Sequence, residues 1–207
     1  MVGRGGRRPG PSQTRARIAA AFLQLAAERG IDSTTTRAIA EAAEVSELTL
    51  FRHFGDKATL VREAIREAAP TEQLRSHAVA IDASSPEHAL EGLTACLRFL
   101  RDEMLQRADL VQFAIAESRR HPELREELMV GPRQAGMLLG EALRQAAPQL
   151  RPEVDPSATV LSLEGLILLT VLWTMHGWLR LGRPEWDVLL EAAVRPLVRT
   201  DPVGPGG

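Results

Sequence analysis

At 207 residues the chain is long enough for one large domain or two small ones, with a core that needs no disulfide or metal to hold it. Its single cysteine, Cys96, excludes an intrachain disulfide, and no Cys/His cluster has the spacing of a zinc site; a reducing compartment, the cytoplasm, is expected, with no metal and no cofactor. The net charge of −2 hides a basic head on an acidic body: residues 1–17 hold Arg4, Arg7, Arg8, Arg15 and Arg17 with no acid, which suits a polyanion-binding module joined to a non-binding one.

The first stretch, "MVGRGGRRPGPSQTRAR", is basic, and no apolar run follows it to make the h-region of a signal peptide. Residues 1–12 are expected to be a disordered basic arm, either a solvated tail or one that reaches into a minor groove or along phosphates. Helix one is predicted from about Thr14 to Arg29, with Ile18, Ala21, Phe22 and Leu25 on one face and Gly30 as its stop. The hydroxyls of Ser33 to Thr36 supply N-caps for a short second helix, "RAIAEAA". Glu44-Val45 then makes a tight turn, Ser46 caps a third short helix, "ELTLFRHF", and a fourth runs from near Asp56 to about Ala69, where Pro70 stops it.

Longer helices follow. "SSPEHALEGLTACLRFLRDEM" starts with a capping serine and a proline in its first turn. Next come "ADLVQFAIAESRR", then "PELREELMVGPRQAGMLLGEALRQAA" with an expected kink at Gly131-Pro132, then the apolar "PSATVLSLEGLILLTVLWTMHGWLRLG", and last "PEWDVLLEAAVRPLVRT". The most apolar stretch, Gly165 to Met175, is too short for a membrane span, so a buried helix and no membrane contact are expected. No period-2 run of β-branched residues occurs. The fold class predicted is all-α with about nine helices: a disordered arm (1–12), a helix-turn-helix head (13–60), a helical bundle (61–200) and a disordered tail (201–207).

Three helices of this size, the second and third joined by a tight turn, match the arrangement in which a third helix enters the DNA major groove. At about 100° per residue, Leu50 and Phe54 share the inward face of that helix, Leu48 and Arg52 point away, and Thr49 and Phe51 lie on the flanks. Arginine can bind guanine or phosphate, and threonine or apolar groups can contact the thymine methyl. The stretch "TTTRAIAEAAEVSELTLFRHFGDKATL", Thr34 to Leu60, resembles the helix-turn-helix signature of the tetracycline-repressor (TetR) family, and "ARIAAAFLQLAAERGI" resembles the helix before it.

The resemblance implies a homodimer whose two heads read adjacent major grooves of a pseudo-palindromic, double-stranded operator, while the bundles dimerise and hold a small-molecule effector. It implies that Thr34 or Thr35 caps helix two near a phosphate, that Arg37 faces the DNA, and that Ser46, Glu47, Leu48, Thr49, Phe51, Arg52 and His53 form the recognition surface. Lys57 would sit on a phosphate, while Ile39, Ala40, Ala43, Val45, Leu50 and Phe54 hold the head together. The family usually has glycine where Glu44 stands, glycine or alanine at Leu48, and often tyrosine at Phe51; Glu44 predicts a strained turn and an unhelpful negative charge.

In the bundle, Met104, Phe113, Met137, Trp173 and His176 are candidate pocket residues for an apolar effector, with Glu117, Gln134 or His176 as polar anchors. The helix Ala158 to Leu179 is apolar nearly all round and must be covered on more than one side. Leu161, Gly165, Leu168 and Leu172 on it, with Trp186 and Leu190 on the last helix, are the predicted dimer interface. No Gly-rich phosphate loop, H-E-x-x-H pair or nucleophile elbow is present, which argues against an enzyme. The expected mechanism is a repressor with two states, drawn off DNA by an effector that favours another spacing of the heads.

Overall fold

A computed structural model of the protein describes residues 10–68 and 80–199. The predicted arm up to residue 9 and the predicted tail (201–207) fall outside them, as do Ala69 and Pro70 at the expected end of helix four. The described residues form two compact units, residues 10–68 with 113–128, and residues 80–112 with 129–199. All regular structure among them is helical, apart from one isolated antiparallel bridge between Leu150 and Val198.

In the first unit, α1 spans Pro11–Arg29. It starts three residues before the expected Thr14, because Pro11 needs no N–H partner in a first turn and has its φ already set; Pro11 and Ser12 therefore belong to a helix and not to the arm. Gly30 ends it at φ 82°. Thr35 caps α2 (Thr36–Ala42), Ser46 caps α3 (Glu47–Phe54), and α4 covers Lys57–Ala68. The boundary expected after residue 60 thus falls within α4. Ile18, Phe22, Ile39, Leu50 and Leu60 are fully buried where α1 packs on α2, α3 and α4.

The second unit opens with α5 (Pro86–Gln106), capped by Ser85. α6 (Ala108–Arg120) begins in this unit, and from Phe113 onward it is part of the first, together with a 3₁₀ turn (Pro122–Leu124) and the one-turn α7 (Arg125–Leu128). α8 (Val130–Ala146) carries Gly131 and Pro132 in its first turn. The pair begins a helix instead of kinking one, because a proline in the first turn interrupts no hydrogen bond.

α9 (Pro156–Met175) and α10 (Arg183–Val194) complete the unit. α9 ends four residues before Leu179: Gly177 takes φ 70°, and the N–H of Trp178 donates to the Trp173 carbonyl at 2.9 Å. By length and composition alone this helix could cross a bilayer. One side is nevertheless core: Leu163, Ile167, Thr170 and Val171 are buried, and the helix packs on α5 and α8. Cys96 lies in the same core, and burial pushes its thiol up to about 11.

Leu139, on α8, is fully buried in this core. Leu139→Ala should lower the unfolding free energy by about 2–5 kcal/mol, measured as a shift in the urea midpoint of the full-length protein.

Candidate nucleic-acid interface

The outward face of α3 is built by what its ends and its inner side are attached to. Leu50 and Phe54 are buried. At the start, the Ser46 hydroxyl accepts the Thr49 N–H at 3.1 Å and lies 2.9 Å from the Thr49 hydroxyl. The Glu47 carboxylate accepts the Thr36 hydroxyl at 2.7 Å, which ties the beginning of α3 to that of α2. At the other end, Gly55 takes φ 79° and donates to Phe51. Arg15 of α1 donates to the His53 carbonyl at 2.5 Å, stands over the Phe54 ring at 4.3 Å and pairs with Glu63 and Glu67 of α4. Sequence reasoning counted Arg15 and Arg17 only as basic charge, whereas both are bonded inside the head.

With that side fixed, Leu48 is 71% and Phe51 41% exposed. Arg52 is exposed and has no ion pair among the described residues, and His53 and Thr49 are half-buried on the flanks. Arg37 is exposed too, in an i,i+4 pair with Glu41 at 3.0 Å. Thr35 accepts the Ala38 N–H at 3.2 Å and remains exposed as the cap of α2. Of the residues expected to hold the head together, Ile39, Ala40, Ala43, Leu50 and Phe54 are buried and Val45 is half-buried.

Two expected contact residues are turned inward. Thr34 is fully buried, its hydroxyl donating to the Gly30 carbonyl at 2.8 Å, so it closes the α1–α2 loop and offers nothing to a phosphate. Lys57 donates to the Ile31 carbonyl at 3.0 Å from a partly buried position, because the loop after α1 passes over the start of α4. That start is capped by Asp56, whose carboxylate accepts the Thr59 N–H at 2.7 Å.

The candidate effector residues are shared between the two units. Phe113 and Glu117 belong to the first unit; Met104, Gln134, Met137, Trp173 and His176 belong to the second. Glu117, a proposed anchor, is 2% exposed and accepts the Ile31 N–H at 3.4 Å, with Arg120 at 3.1 Å. The His121 Nε2 lies 3.3 Å from Glu117, within ion-pair range but off-line for a hydrogen bond. Met137 is 68% exposed, and His176 reaches Gln112 at 3.4 Å. Two surface clefts, one around Leu143, Leu150 and Arg199 and one around Ile31, Val61 and Leu124, contain none of the seven. The dimer candidates divide as well: Leu161 and Gly165 are exposed and Leu168 and Leu172 half-buried, but Trp186 and Leu190 are buried in the core of their own unit. Those two lie on the inward stripe of α10, whose outward side carries the 70% exposed Val188.

Residues 18–64, which hold α1 from Ile18 through most of α4, match the family model described as "Bacterial regulatory proteins, tetR family". The head is of the TetR type. It is 28% identical over 171 residues to the HTH-type transcriptional repressor KstR2 of Mycolicibacterium smegmatis, covering 75% of this chain and 78% of that protein. It is 44% identical to the uncharacterized HTH-type transcriptional regulator YvkB of Bacillus subtilis over 54 residues, 26% of this chain and 29% of that one. Salmonella enterica GusR shares the fold at a TM-score of 0.67 and 23% identity, over 93% of this chain and 99% of GusR. That head is the DNA-binding part of transcriptional regulators.

Two substitutions probe the frame of this TetR-family head. Ser46→Ala should cost about 1 kcal/mol of head stability, read as a lowered thermal midpoint. The Thr59 N–H holds the Asp56 carboxyl below its usual value. A group depressed by folding contributes stability above its unfolded pKa and loses it as pH falls through the folded value, so α4 should fray first below roughly pH 4. Asp56→Asn should flatten that acid limb in circular dichroism.

Proposed function

We propose that the protein acts in the cytoplasm as a homodimeric repressor of transcription that α3 docks into the major groove of a pseudo-palindromic operator. The observation that carries the reading is the outward face of α3, where Leu48, Phe51 and Arg52 are left uncovered although the helix is held at both ends. Ser46, Glu47, Thr49 and His53 border that face, and the exposed Thr35 and Arg37 flank it from α2. Arg52 brings the charge for a guanine edge or a phosphate, and Leu48 and Thr49 suit a thymine methyl. The KstR2 relative, described as a transcriptional repressor, supports the sign of regulation.

Dimerisation is supported by α9. Its free side exposes Leu161, Leu169 and Trp173, and Val188 and Trp178 are exposed on α10 and just after α9. An apolar surface of this kind on a water-soluble chain is the mark of a partner. A second copy supplies it symmetrically, with Gly165 permitting close approach of the two α9 helices. The two α3 helices would then have to stand ~34–36 Å apart to enter successive major grooves.

Release by a small, largely apolar effector is the regulatory half of the proposal. Its support is α6, one continuous helix that starts in the bundle unit and ends in the head unit, where Glu117 accepts the Ile31 N–H. The effector of this proposal is bound by the bundle. It can move the population only by as much as its affinities for the two states differ.

Fragments selected from random DNA by the purified protein should carry a two-fold repeat with half-sites about one helical turn apart. Arg52→Ala should weaken binding to such a fragment by ~1–3 kcal/mol and relax preference at particular base pairs. A uniform loss across sequences would assign Arg52 to phosphate, and failure to select any fragment in dilute salt would overturn the reading. Light scattering at micromolar concentration should give a dimer, and Leu161→Glu with Trp173→Glu should give a monomer.

A further inference from the structure

The turn that aims α3 is made by a residue poorly suited to its backbone. Glu44 has φ 51° and is alone in being a non-glycine residue at positive φ among the described residues; α1, α3 and α9 end instead on Gly30, Gly55 and Gly177. In this region Cβ crowds the following carbonyl. The hydrogen bonds of the turn are those of the turn after α9. The Glu44 N–H donates to Glu41 at 3.1 Å and the Val45 N–H to Ala40 at 2.9 Å, just as Gly177 donates to Thr174 at 3.1 Å and Trp178 to Trp173 at 2.9 Å. The same bonds close both turns, so they do not explain why one of them tolerates a glutamate.

What the α2–α3 turn has in addition is Arg17. From the middle of α1 its Nη2 donates to the Ala43 carbonyl, lies 3.5 Å from the Glu44 carbonyl and stands 3.8 Å from the Glu44 carboxylate. A guanidinium placed there satisfies carbonyls at the end of α2 that would otherwise face water, and it suits the negative end of the helix dipole. The Glu44 carboxylate is 87% exposed, so the ion pair is minor and the carbonyl bonds do the holding. The cation also offsets a negative charge at the edge of a surface offered to phosphates.

We propose that Arg17 is a positioning residue of the DNA reader: it holds Glu44 in the left-handed conformation and thereby sets the direction of α3, without itself touching DNA. Only the DNA-binding arm of its test rests on the function proposed above. If the assignment is right, the need for Arg17 disappears when the turn no longer needs holding. Glycine at position 44 removes that need.

The test compares full-length wild type, Arg17→Ala, Glu44→Gly and the double variant. In DNA-free protein, hydrogen exchange of the segment spanning Ala40 to Ser46 should accelerate about tenfold at the Glu44 and Val45 amides in Arg17→Ala, and return to near the wild-type rate in the double variant. Affinity for a DNA fragment selected by the wild type should fall about tenfold in Arg17→Ala with the salt dependence unchanged, and recover in the double variant. A double variant as loose and as weak as Arg17→Ala overturns the proposal. So does a salt slope reduced by about one unit, which would make Arg17 a phosphate contact. If the wild type selects no DNA, the functional reading fails while the exchange measurement still decides on Arg17. Should Arg17→Ala not fold, Arg17→Lys, which keeps the charge but loses the fork, carries the same comparison.

Discussion

Two inward side chains, Leu50 and Phe54, decide what α3 can present. A helix of eight residues has room for little more than one buried pair, and here the pair lies one turn apart under α1. Burying each contributes about 1.5–3 kcal/mol, far more than an isolated helix of that length could supply for itself. A rotation by one residue would lift both out of the core and turn Thr49 or Phe51 in. Arg15 closes the other degree of freedom by gripping the His53 carbonyl of α3 while stacking on Phe54. The outward face is therefore a by-product of packing: the sequence needs no special device to expose Leu48 and Arg52 once Leu50 and Phe54 are secured.

Much of the head was legible because its signals are local. Ser46 and Thr35 cap where hydroxyls three residues ahead of a free N–H must cap, and helical spacing separates Leu50 from Leu48. What was not legible depends on neighbours distant in sequence. Thr34 and Thr35 look alike as adjacent capping hydroxyls, and only the passage of Gly30 beneath Thr34 makes one of them a core group. Lys57 resembles a phosphate ligand until the Ile31 carbonyl is found at its tip. Periodicity also gave no warning that Glu117, some ninety residues along the chain, serves the loop after α1. In α10 the apolar pattern marks Trp186, Leu190 and Val194 as one stripe, but a single sequence does not say whether a stripe meets its own chain or another.

The bundle shows the opposite economy. α9 is apolar on nearly every side, yet one chain buries only the stripe of Leu163, Ile167, Thr170 and Val171. The remainder is surplus within a monomer. Leu161, Gly165, Leu169 and Trp173 recur every four residues as an exposed line with Leu166, Leu168 and Leu172 half-buried beside it, the pattern of a helix partnered on one flank and open on the other. In the function proposed above, binding specificity and assembly trace to two short faces, one polar-apolar on α3 and one largely apolar on α9, each defined by what the adjoining core has already claimed.

Cys96 has a practical corollary. The residue is 3% exposed, and its thiol, pushed to about 11, carries almost no thiolate at neutral pH. Maleimides and peroxide alike should pass it by in the folded state. The native chain is in effect a blank background for site-directed labelling, and a paramagnetic tag on a cysteine introduced at the rim of the head would report the separation of two copies without any need to remove the natural one.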